Sequence, residues 1–222
     1  YLFANSEFPD SSWNTKIARD IFWEQSMHGI LQENAGVNLK DFQNEDEFFS
    51  YLSKSAVFTA KRGDQDYYFF PIPAIDYLSH EKIKAYNLSG ETVELTPKQE
   101  DFENHRSYQY QDLTTRGTVE FRSVCAQPFD RTFISAAFHL GILANLENVQ
   151  KYLQETDFFK KEGRNYKQLR QKFSKKEISR SAATHVRNFA NDLIQLAIVG
   201  LVARNNGEEF YLKNLIVKEK EE

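Results

Sequence analysis

Gly117-Thr118-Val119-Glu120-Phe121-Arg122-Ser123 alternates polar and apolar side chains with a period of two, the signature of a β-strand. On that reading Thr118, Glu120 and Arg122 share one face, and Val119 and Phe121 pack into a core on the other. A carboxylate and a guanidinium two residues apart are costly to desolvate unless something compensates them. A solvated strand face carrying a salt bridge is the plain reading. A metal ion beside the carboxylate and a phosphate beside the guanidinium is the chemical one. The residues alone leave both open.

Working upstream, Ala56 to Ala60 and Tyr67 to Ile72 are rich in aromatic and branched residues, and Arg62-Gly63-Asp64-Gln65 between them supplies a hairpin turn. Arg62-Gly63-Asp64 also spells an adhesion tripeptide, but the turn needs its glycine anyway, so it is read as a turn. Thr92 to Leu95 and Ser107 to Leu113 are further strands, and Phe48, Phe49 and Leu52 mark a short helix. Near the start, Tyr1 to Asn5 reads as a buried strand, followed by a helix carrying Ile17, Ala18, Ile21 and Phe22.

Downstream the period changes. From an N-cap at Asp130, residues Ile134, Phe138, Ile142, Leu146, Val149 and Leu153 recur at steps of three and four, predicting one long amphipathic helix. Residues 157 to 180 are basic and polar, and read as a solvated helix face rather than a nucleic-acid surface. Val186 to Ala203 is nearly all apolar, predicting a deeply buried helix that stops at Asn206-Gly207. The fold class is therefore α+β: residues 1–129 mainly antiparallel sheet and 130–222 helical, packed as one structural unit.

The 28 Lys and Arg against 32 Asp and Glu give a net charge of -4, which offers no general attraction to nucleic acid or an anionic membrane. Cys125 is the single cysteine, so no internal disulfide forms, and the five histidines lack the spacing of a structural zinc site. A reducing cytoplasm is the simplest compartment. No apolar run reaches the roughly 18 residues of a membrane span, so no membrane partner is expected. The apolar opening at Tyr1-Leu2-Phe3 leads us to expect further polypeptide before it.

Several segments, in order, resemble one family. Glu120-Phe121-Arg122-Ser123 running through Val124-Cys125-Ala126-Gln127-Pro128 into a helix is similar to the Glu-x-Arg strand of glutamate-cysteine ligases. Asp101-Phe102-Glu103-Asn104-His105 resembles that family's Asp-aromatic-x-x-His segment, and Phe3-Ala4-Asn5-Ser6-Glu7-Phe8 its Ala-Asn-Ser-Pro-Phe loop. Arg19, followed four residues later by Trp23, stands where the family has an arginine and a tryptophan, and Gly207 to Leu212 resembles its closing segment. Departures include Cys125, where the family often has Asp, and Glu7, where it has Pro.

The resemblance runs from residue 2 to about residue 213 and covers the carboxyl-terminal half of the family's catalytic domain. It implies an antiparallel sheet forming one wall of a glutamine synthetase-like active site. It further implies a cytoplasmic, ATP- and Mg2+-dependent ligase of glutathione biosynthesis, joining the γ-carboxylate of glutamate to cysteine through a γ-glutamyl phosphate. In that scheme Glu120 binds magnesium, Arg122 contacts ATP phosphates and Arg19 clamps the substrate α-carboxylate. Thr115 is a hydroxyl ligand, and His105 a polar group at the pocket rim. Arg19 could equally be a helix-surface residue and Trp23 a packing residue. The remaining metal carboxylates lie in the family's amino-terminal half, which becomes a required partner. A ligase using a different amine, or a non-catalytic nucleotide-binding module, shares these features.

Overall fold

The structure, a computed structural model, describes residues 1–9, 12–104, 108–113, 117–213 and 215. It is α+β, with an antiparallel four-stranded sheet and a helical carboxyl-terminal region. Two compact units divide the chain: Arg19–Ser123 forms one, and Tyr1–Ala18 joins Val124–Glu222 in the other. The division differs from the boundary expected at residue 129, because the first residues pack with the helices. Ser6 bridges Ile17, the Lys16 amide donates to the Ser174 carbonyl, and the Phe3 ring meets Phe138 edge-on at 5.6 Å. Tyr1 to Asn5 is consequently a turn and not the expected strand.

In the sheet unit, α1 (Ala18–Glu24) opens the chain, followed by β1 (Ala35–Gly36) and α2 (Glu45–Leu52). Phe22 of α1 is exposed, against the helical spacing that suggested burial. Asn44 caps α2, its side chain accepting from the Glu47 amide at 2.9 Å. The main sheet is a meander of β2 (Ala56–Arg62), β3 (Gln65–Pro73), β4 (Ile83–Tyr86) and β5 (Thr92–Leu95), with α3 (Ala74–Tyr77) between the second and third strands. Pairing of Arg62 with Gln65 leaves Gly63-Asp64 as the turn, and glycine is needed because φ at Gly63 is +59°. Val57, Ala60, Phe69, Ile83, Ala85 and Leu95 turn one face of this sheet into a core with Tyr77.

Three short strands complete this unit. β6 (Tyr108–Gln109) runs parallel to β1, while β7 (Gln111–Leu113) and β8 (Val119–Phe121) form a separate antiparallel pair. Asp112 lies opposite Glu120 in that pair. Val119 is 57% exposed, so the apolar side of β8 is not the core face its alternation suggests. Glu120 and Phe121, the other two residues of this short strand, are half-buried.

The helical unit consists of α4 (Thr132–Ala144), α5 (Leu146–Glu155), α6 (Asp157–Glu162), α7 (Tyr166–Phe173) and α8 (Arg180–Arg204). The expected long helix from Asp130 is broken at Asn145, whose backbone leaves helical geometry and whose side-chain Nδ2 donates to the Leu196 carbonyl at 2.9 Å. Asp130 sits in a 3-10 turn and caps nothing. By length and composition α8 could cross a bilayer, yet here it is the central helix of the unit. One stripe of it is buried (Val186, Ala190, Ile194, Ala197, Gly200, Leu201), while Val199 and Val202 are exposed. Burial is therefore one-sided and not all round. Its end is set by Asn205 in the left-handed region at φ 55°.

Two glycines set the closest approach of α4 and α8. A methyl group added at Gly141 would collide with the Ala197 carbonyl, and one added at Gly200 with the Gly141 carbonyl. Around that backbone contact Ala137, Ile194, Leu201 and Leu212 form the core, with Leu2 packed against it.

Candidate functional site

Three of the five expected site residues, Glu120, Arg122 and Arg19, are brought together within the sheet unit; His105 and Thr115 lie outside the described residues. β8 presents Glu120, and Arg122 follows immediately, its amide donating to the Tyr110 carbonyl at 2.6 Å. Arg122 Nε lies 3.5 Å from Glu120 Oε2, and the two side chains are 37% and 40% exposed. The strand expected to carry both ends at Phe121, so this is an ion pair between a strand residue and the one just past the strand's end, at a half-solvated position. In itself such a pair contributes about 1 kcal/mol or less to stability.

Arg19, in the first turn of α1, reaches the same place. Its Nη2 donates to the Arg122 carbonyl at 2.6 Å, and its guanidinium carbon sits 4.7 Å above the Tyr110 ring. The Tyr110 hydroxyl donates to Asp20 Oδ1 at 2.7 Å, which fixes the ring under the guanidinium. Arg19 Nε is buried and has no hydrogen-bond partner among the described residues. A guanidinium carries five N–H donors in a rigid fork; Nε is out of reach of an incoming anion, so such a contact would fall to the Nη hydrogens not used on the Arg122 carbonyl. Tyr110 and Asp20 were not singled out by sequence reasoning. Nothing in their local pattern marks them, since their roles depend on contacts 90 residues apart.

Trp23 packs instead of standing open. It lies 4.5 Å from the His28 ring and 5.0 Å from Tyr108, and His28 also meets Phe58 at 4.9 Å. Burial in this aromatic nest lowers the His28 pKa, so the ring is neutral near pH 7. Cys125 is buried, with its sulfur 3.3 Å from Ser6 Oγ. Among the described residues no group of three or more His, Cys, Asp or Glu side chains could hold a metal ion. Chemically, the arrangement offers one half-exposed carboxylate paired with the Arg122 guanidinium, and a second guanidinium, that of Arg19, on the Arg122 backbone carbonyl.

Of the expected solvated basic stretch, several members are engaged within the helical unit. Lys172 reaches Glu162 at 2.5 Å, Lys160 pairs with Asp157 at 2.9 Å, and Arg164 donates to the Leu153 carbonyl at 2.6 Å. No family model, curated protein or solved structure matches this chain.

Proposed function

We propose that this chain is the carboxyl-terminal part of an ATP-dependent carboxylate-amine ligase, joining the γ-carboxylate of glutamate to cysteine within a glutamine synthetase-like site. The observation that carries the reading is that Arg122, paired with Glu120, also holds the Arg19 guanidinium on its backbone carbonyl, with Arg19 positioned on Tyr110. Two cations and one carboxylate at a half-solvated position form a local cluster of the kind that a triphosphate and an anionic amino acid require. The chain's overall charge of -4 gives no such attraction by itself.

In this reading the substrate carboxylate attacks the terminal phosphorus of ATP and ADP leaves, giving an acyl phosphate. The cysteine amine then displaces phosphate to form the amide. The protein's share is positioning and charge stabilisation rather than covalent help. Arg122 holds charge building on the transferred group, and Arg19 forks onto the substrate α-carboxylate. Magnesium, when bound, neutralises phosphate charge. Glu120 would hold it, as one of the one or two carboxylates such an ion takes.

In the full-length polypeptide, Glu120→Ala and Arg122→Ala are each expected to lower cysteine-dependent ADP release by about a hundredfold or more. Near-normal rates in both variants would refute the assignment. Release that depends equally on some other amine would keep the chemistry and change the substrate.

A further inference from the structure

Independently of the ligase reading, we propose that the helical unit carries a second binding site, one for a guanidinium group, in the cavity between α5, α6 and α8. The cavity measures about 590 Å³ and is open to solvent, within the range of small-molecule clefts. Its wall is a column of four nearly parallel rings. Tyr152 and Phe189 lie 6.0 Å apart at 19°, Phe189 and Phe158 4.1 Å apart at 8°, and Phe158 and His185 5.0 Å apart at 23°. Rings held against one another in this way form a stiff apolar surface, suited to the hydrocarbon stem of an amphipathic side chain.

The lining carries more negative than positive charge. Lys160 Nζ is occupied by Asp157 at 2.9 Å, so these two cancel. Glu155 and Asp192 also line the cavity. Asp192 accepts the Tyr152 hydroxyl through Oδ2 at 2.7 Å, which leaves its second oxygen open. Burial, aided by Asp192, raises the Tyr152 pKa to about 12, so this hydroxyl stays a donor and orients the carboxylate. A cation is thus favoured over an anion. A planar fork that satisfies a carboxylate with paired hydrogen bonds is favoured over a spherical ammonium. The same aromatic cluster already accepts one guanidinium: Arg164 lies 4.5 Å above Phe159, whose ring meets Phe189 edge-on at 5.4 Å.

The group could arrive as free arginine or as an arginine side chain of a peptide. The test titrates L-arginine, acetyl-Gly-Arg-Gly-amide and the neutral isostere L-citrulline into the isotope-labelled 222-residue chain, following the backbone amides of α5 and α8 by NMR. Either arginine compound should saturate these shifts, and citrulline should bind about tenfold more weakly or less. The tighter of the two names the source. Asp192→Asn should weaken arginine binding by about tenfold, and Lys160→Gln, at an exposed position, should tighten it severalfold by releasing Asp157. Equal binding of arginine and citrulline, no saturation by either arginine compound, or an arginine affinity indifferent to both substitutions would overturn the proposal.

Discussion

Among the described residues of the sheet unit are two carboxylate-guanidinium pairs made of similar parts and set in opposite surroundings. At the four-stranded sheet, Asp101 has a side chain only 1% exposed and accepts four hydrogen bonds. Two come from Arg62, at 2.5 and 2.9 Å, one from the Tyr77 hydroxyl at 2.8 Å and one from the Lys98 amide at 2.9 Å. A carboxylate has about four lone-pair sites, so this one is full. At β8, Glu120 is 40% exposed beside Arg122 at a looser 3.5 Å. The difference teaches that solvent exposure and closeness of contact, more than residue type, separate a buried structural ion pair from a half-solvated one.

The largest expected effect lies at the closed pair. Asp101→Asn removes the charge but leaves the Arg62 guanidinium in place, and should cost about 3 kcal/mol in chemical denaturation. Burial pushes the Asp101 carboxyl up, but donation from Arg62, Tyr77 and the Lys98 amide outweighs it and holds the group below the usual carboxylate range. Its folded pKa is thus below its unfolded one. The stabilisation is complete above the ordinary value, near pH 4, and is lost as pH falls through the folded value. The wild-type curve should accordingly show an acid limb below about pH 4, which Asp101→Asn flattens. Tyr77→Phe removes a single donor and should cost about 1 kcal/mol. Arg122→Ala should change stability by no more than about 0.5 kcal/mol, whatever it does to ligand binding. A stability loss at Arg122 equal to that at Asp101 would erase the contrast.

What could be read from the sequence divides along the same line, between local and distant causes. The hairpin around Gly63, the helix holding Phe48 and Phe49, and the stop expected at Asn206-Gly207 follow from turn chemistry and spacing, the helix ending just before it with Asn205 as its cap. β4 escaped notice because Ile83-Lys84-Ala85-Tyr86 is short and alanine is a poor strand former. The break at Asn145 was hidden because its side chain is used on Leu196, 51 residues away. Likewise the alternation of β8 was legible, but not that Val119 would lie in solvent while Phe121, on the same side, is half-buried. At the candidate site the charged residues could be named in advance. The Tyr110 platform could not, because no short-range rule places a tyrosine beneath an arginine on α1.

The touching backbones at Gly141 and Gly200 leave no compressible layer between α4 and α8. Any added carbon there must be absorbed by moving a whole helix, and α8 carries Asp192 and His185 with it. Those two hydrogen-atom side chains therefore act as a spacer gauge for the aromatic groove, since one of its walls rides on α8.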